Sequence, residues 1–342
     1  MSRFLLTALC LVPLSAAAQA GPLRLRLDTG EAEAALAILD ARAGGAVPDS
    51  LWTRLEATEG FTRLVAREQS LRRTLSLDDM RAYLGNDSIV ARRQQFRRTL
   101  EAWRQLPVAD AGARALAYLP AGTTLDATIY LLVKPRTNSF VFDVRGRPAI
   151  MLYLDPDVAA PAFANTVAHE LHHIGLGAAC RVAPDTLFAD TTQAAAAARE
   201  WLSAFGEGLA MLAAAGGPTV HPHQTSPAAD RERWDRDMAD APGQMREVER
   251  FFLGVLDGKI AGDSVTVAGM EFFGVQGPWY TVGYRMWSTV ERRFGRARVV
   301  ADACQPARLL LDYNQAVAGT PSAPHWSADF SQRLAALLAQ RP

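Results

Sequence analysis

The chain of 342 residues is short of surplus charge, cysteine, lysine and histidine, and the shortages narrow what it can be. Its 36 Lys and Arg residues are matched by 36 Asp and Glu. Without a basic surplus there is no field to hold a polyphosphate backbone, which argues against nucleic acid as a main partner. Three cysteines are too few for a cysteine zinc ribbon once Cys10, in an N-terminal apolar stretch, is set aside. Beyond that stretch no run is long and apolar enough to span a membrane. G-x-S-x-G, P-loop and G-x-G-x-x-G patterns are all missing. Lysine occurs 2 times against 34 for arginine, and alanine is abundant, which reads as a GC-rich bacterial coding bias. At 49% hydrophobic and 21% charged, the composition is globular and excludes disorder and collagen-like structure.

The first twenty residues read as an export signal. Arg3 supplies a short positive region, residues 4–14 are apolar, and Ala18-Gln19-Ala20 is a small-x-small cleavage pattern before Gly21. The expected division is 1–20 signal peptide, 21–122 an N-terminal helical region and 123–342 the domain that carries the chemistry. Export, to a bacterial periplasm or the medium, would let Cys180 and Cys304 pair; two separate buried thiols are the competing reading.

From Thr29 to about Leu119 the pattern is helical. Glu31–Arg42 closes at Gly44-Gly45, and Asp87 can cap a helix running to Leu106 before Pro107. Three segments rich in β-branched and aromatic residues follow, at 128–134, 139–144 and 149–154. Turns at Pro135–Asn138 and Arg145–Pro148 separate them, predicting a small three-stranded antiparallel sheet. Helices return at about 161–174, 192–215, 228–257, 278–294, 304–318 and 327–340, with a break at Gly216-Gly217-Pro218. Val265–Phe273 could be a short strand or hairpin.

Three of the six histidines fall within five positions, in His169-Glu170-Leu171-His172-His173. This contains H-E-x-x-H, which a shuffled chain of the same composition yields in roughly 0.4% of cases. On a helix, residues four apart share a face, so His169 and His173 can reach one metal ion. Glu170 projects beside them and can act as general base toward a metal-bound water. Asp157 as cap, Pro161 in the first turn and Gly175-x-Gly177 as stop frame such a helix, and Phe163, Val167, Leu171 and Ile174 stripe its other side. His172 lies off the metal face and reads as structural.

A catalytic zinc usually takes three protein ligands. The position six after His173 is Ala179, which excludes the metzincin arrangement. Glu200 and Glu207, one heptad apart, are the candidates on a later helix. Glu207 is the better placed, because Ser203, Ala210 and Ala214 on its face are small enough to leave a cleft; an exposed helix glutamate is the alternative. Tyr280 is the first candidate to stabilise an oxyanion and Tyr284, four residues on, the second; both could equally be packing residues. His221-Pro222-His223 reads as a solvent-exposed loop pair.

His169–Ile174 followed by Glu207-Gly208-Leu209-Ala210, with the later run Gly277–Trp287, resembles bacterial zinc-dependent peptidases of gluzincin type, mostly catalogued as domains of unknown function. The resemblance covers about 125–320. It implies a zincin-like core with Glu207 as the third ligand, and gives no substrate. The reading as a whole expects one Zn2+ per chain and a peptide or protein substrate. The expected fold is α+β, predominantly helical, with a small antiparallel sheet and an H-E-x-x-H helix. Two rivals remain: a non-catalytic helical binding or envelope protein that keeps this fold, and a zinc hydrolase of non-peptide amides or esters. Only catalysis needs Glu170, which argues against the first.

Overall fold

The computed structural model describes residues 22–144, 146–180, 192–320 and 322–339; the expected signal segment lies outside them. The fold is mostly helical, as expected, around one small sheet. The sheet has four strands: β1 (Leu23–Asp28), β2 (Leu125–Leu132), β3 (Phe140–Val144) and β4 (Arg147–Tyr153), in the order β1-β2-β4-β3. It is mixed, not antiparallel. β1 pairs parallel with β2, β2 parallel with β4, and only β3 with β4 is antiparallel. The expectation failed because the turn after β2 does not close a hairpin. The chain carries β3 to the sheet edge and β4 returns between β2 and β3. The Lys134 ammonium braces that turn, donating to the Arg136 carbonyl, the Asn138 carbonyl (2.7 Å) and Asn138 Oδ1 (3.0 Å).

Parallel neighbours need a long crossover, and the N-terminal helices supply it between β1 and β2. They are α1 (Gly30–Gly44), α2 (Asp49–Glu56), α3 (Glu59–Ser70), α4 (Leu77–Leu84), α5 (Asp87–Ala91), α6 (Arg93–Arg104) and α7 (Val108–Leu116). The helix expected over 87–106 is two, capped by Asn86, whose side chain accepts from Ser88 N. Period-two side chains serve both sheet faces. Ala127, Ile129 and Leu131 join α1, α6 and α8 (Ala160–Ala179) in one core, where Trp103 stacks on Phe163 at 4.1 Å. Tyr130, Leu132 and Met151 face Leu64 of α3.

A second core is purely helical. It is built from α9 (Gln193–Leu202), α10 (Gly206–Ala215), α11 (Ala228–Ala239), α12 (Ala241–Leu256), α13 (Asp263–Glu271), α14 (Pro278–Phe294), α15 (Arg296–Asp302), α16 (Pro306–Val317) and α17 (Ala328–Ala339). Trp279 and Trp287 of α14 are buried among Phe205, Phe252, Trp326 and Phe330. Where a strand or hairpin was open at 265–273, the chain is helical to Glu271 and then turns; Gly269 there lets α13 lie against Trp201. Gly216 ends α10 in the left-handed region (φ 86°), as the Gly-Gly-Pro break suggested. Cys180 and Cys304 are disulfide-bonded, tying the end of α8 to the turn between α15 and α16. Among the described residues no helix is long and apolar enough to cross a membrane.

Candidate metal centre

The site is built where α8 of the first core meets α10 and α14 of the second. α8 starts as expected with Pro161 in its first turn, but Asp157 is not its cap. Ala159 holds that position, and Asp157 pairs with Arg92 at 2.7 Å. Nor do Gly175 and Gly177 stop it; the helix runs to Ala179, with Gly175 buried closely against Leu119. Phe163, Val167 and Leu171 anchor one side in the first core. The opposite side presents His169, Glu170 and His173.

Glu207 stands in the first turn of α10. Its Oε2 lies 3.2 Å from the Nε2 atoms of both His169 and His173, which are 3.0 Å from each other. Bonds of 2.0–2.1 Å in tetrahedral geometry would space ligand atoms by roughly 3.3–3.4 Å, so this triangle fits a zinc-sized ion. The donor chemistry fits as well: two imidazoles and one carboxylate, with a single negative charge. The three side chains keep 13%, 27% and 18% of their surface exposed, so the cluster is reachable from solvent. Among the described residues it is the one His/Cys/Asp/Glu group that could hold a metal ion.

Electrostatics points the same way. Burial alone would lower His173, but the Glu207 charge and hydrogen bond outweigh it and raise the imidazole to about 9. Burial would raise Glu207, but the two histidines hold it well below the usual carboxylate range. The cluster calls for a positive charge at its centre, whether a proton or a cation.

Tyr280 joins the site. Its ring stacks on that of His169 (centroids 6.2 Å, planes 15° apart). Burial first, then the charge of Glu207 and a hydrogen bond to it, push the phenol far above its ordinary value, so it stays a proton donor. Glu170 is half-buried, and its charge is felt at both Tyr280 and His173. Tyr284 is not brought in. Its hydroxyl donates to the Val220 carbonyl at 3.2 Å and its ring meets Trp234 edge-on. Glu200 is exposed. His172 is fully buried, and burial followed by the neighbouring histidine charges push it down to about 3, which makes it a neutral packing group. His221 and His223 are not the solvent-exposed pair expected. His221 bonds Asp235 at 3.0 Å, while His223 is buried beside Trp234 with Nδ1 3.0 Å from Ser226 Oγ.

Two positioning features account for the juxtaposition. A Cβ on Gly208 would fall 2.1 Å from Tyr284 N and 2.2 Å from Gly283 C, so α10 and α14 cross almost backbone to backbone. That contact places Tyr280, one turn before Tyr284, beside Glu207. The small residues Ala210 and Ala214 are buried, so they permit close packing and do not open the cleft expected of them. Arg114 of α7 donates to Asn165 Oδ1 (2.6 Å) and the Ala164 carbonyl (3.0 Å) on α8, and to the Ala214 carbonyl at the end of α10. Sequence reasoning missed Arg114, because its partners lie 50 and 100 positions away and nothing local marks it.

A family model described as "Putative zinc dependent peptidase (DUF5700)" matches residues 52–321. No curated protein and no solved structure gives a match.

Proposed function

The chain belongs to the DUF5700 family, whose description reads "Putative zinc dependent peptidase", and on that premise we propose that it is an exported metallopeptidase with a zincin-like core. The observation that carries the reading is the triangle of two imidazole nitrogens and one carboxylate oxygen, 3.0–3.2 Å on each side. His169, His173 and Glu207 would hold one zinc per chain. When bound, zinc supplies Lewis-acid polarisation of the scissile carbonyl and makes water acidic enough to attack near neutral pH. Glu170 takes the proton from the attacking water and delivers it to the leaving amine. Tyr280, kept protonated by burial and by Glu207, donates toward the oxygen that gains negative charge. The Cys180–Cys304 bond supports export, since such bonds persist in oxidising compartments.

The test pairs metal analysis with turnover. Glu170→Gln should keep one zinc and lose activity by about 10²–10⁴-fold against a peptide library. His173→Ala should lose both zinc and activity. A purified chain that takes up no stoichiometric zinc refutes the reading. Cleavage of small amides or esters but of no peptide would move it to the non-peptide hydrolase.

A further inference from the structure

Away from the metal centre, the chain gathers four cations around one buried carboxylate. Glu68, near the end of α3, is 5% exposed. Its Oε1 accepts from Arg67 Nη1 (2.7 Å) and Arg73 Nη2 (3.3 Å). Its Oε2 lies 2.8 Å from Arg73 Nε and 3.2 Å from Arg136 Nη1. Lys134 is the fourth cation, 2% exposed, with its donors spent on the carbonyls of its own turn. Among the described residues no carboxylate forms an ion pair with it. The other acid here is Asp79, whose Oδ2 accepts from Ser76 N and Ser76 Oγ, both at 2.7 Å.

Glu68, Asp79, Lys134 and Arg136 line a cleft of about 210 Å³, walled on its apolar side by Leu64, Leu75 and Pro135. We propose that this cleft binds a small organic carboxylate on an apolar stem. The four cations outnumber Glu68 and Asp79 by two, only Lys134 among them is fully buried, and a bound carboxylate supplies part of the missing charge. Arg136 spends one Nη on Glu68, and its side chain is 56% exposed, which leaves the rest of a planar fork for bidentate pairing. Glu68 holds the guanidiniums in place before the ligand arrives, so little ordering is left for binding. At roughly 30 Å³ per water, its share of the liquid, the cleft of about 210 Å³ has room for about seven, the scale of a small organic acid. A bare phosphate would leave the leucine and proline walls without a partner. Burial first, then the Arg67 charge, pull the lysine down to about 8, against the opposing charges of Glu68 and Glu31.

The experiment is calorimetric titration of the full chain with N-acetyl-leucine and with N-acetyl-leucinamide. The acid should saturate the cleft, and the amide should bind at least about tenfold more weakly for want of the charge. Arg136→Gln should weaken the acid by a similar factor with an unchanged circular-dichroism spectrum. Arg136→Lys, which keeps the charge without the fork, should fall between. His173→Ala should bind the acid as the unaltered chain does, which separates this cleft from the metal centre. The proposal is overturned if the acid gives no heat, if the amide or inorganic phosphate binds equally well, or if binding is lost with His173→Ala and kept with Arg136→Gln.

Discussion

The sheet half and the helical half of the molecule are held together by different means. In the first, α1–α8 wrap both faces of a mixed sheet whose register fixes which side chains meet. In the second, aromatic side chains pack around α14 with no sheet to set distances. The candidate metal centre takes two imidazoles from the first half and a carboxylate and a phenol from the second. Its geometry is therefore a property of the seam, and the seam can be broken from either side.

The largest effect should come from the closest contact. Gly208→Val puts side-chain atoms where the backbone of Gly283 and Tyr284 already lies. No rotamer avoids this, so the loss should exceed about 4 kcal/mol. Near-ultraviolet circular dichroism should show the tryptophan environment of the second core collapsing. A folded Gly208→Val chain with full zinc uptake would mean that α10 and α14 need not touch.

Next comes the covalent tie. The disulfide closes a segment of 124 residues that crosses the seam. By the chain-entropy model its removal costs about 4–5 kcal/mol. The paired change Cys180→Ser with Cys304→Ser should lower the unfolding free energy from denaturant titration by that amount, and reductant should lower that of the unaltered chain equally while sparing the variant.

The first half has a weakness of its own. Glu31, in the first turn of α1, is 1% exposed and accepts the Val133 N–H at 2.7 Å. Burial outweighs that hydrogen bond and the Lys134 charge and raises the carboxyl to about 8 from its usual 4.5. Between those values the folded chain keeps a proton that the unfolded chain has released. Raising pH then favours unfolding, and stability falls from about pH 4.5 to 8 and levels off above, by an amount on the order of a few kcal/mol. Glu31→Gln keeps an acceptor for Val133 without the charge. Denaturant midpoints measured at pH 5 and pH 8 should converge in that variant; an unchanged gap would assign the slope to another group.

What the sequence made legible follows the range of the interactions. His169, Glu170 and His173 are readable because their relation is one helical turn, set by local geometry alone. The three later strands are readable from their β-branched runs, but not their order, because strand order depends on where the chain travels after Lys134. β1 carried a signal that was passed over, the alternation Leu23-Arg24-Leu25-Arg26-Leu27. Glu207 could be shortlisted beside Glu200 but not placed, since its position depends on Gly208 meeting Gly283 across 75 residues. Tyr280 and Tyr284 look alike on a helical wheel. Only the crossing point decides that the first meets His169 and the second meets Val220.

The finest test of the seam is Arg114, which touches neither the imidazoles nor Glu207. Its guanidinium bonds α8 at Ala164 and Asn165 and α10 at Ala214, so it sets the spacing of the two helices that carry the three ligand atoms. Arg114→Ala should cost about 1–3 kcal/mol of stability through carbonyls left without donors. If spacing matters, it should also weaken zinc binding about 10–100-fold, the range seen when groups supporting metal ligands are removed. Arg114→Lys can reach one helix at a time but cannot bridge both, so it should restore part of the stability and little of the zinc affinity. Competition with a chelator beside denaturant unfolding separates the two quantities. Equal recovery of both would make Arg114 a packing residue, and the metal centre would then depend on Gly208 and the disulfide alone.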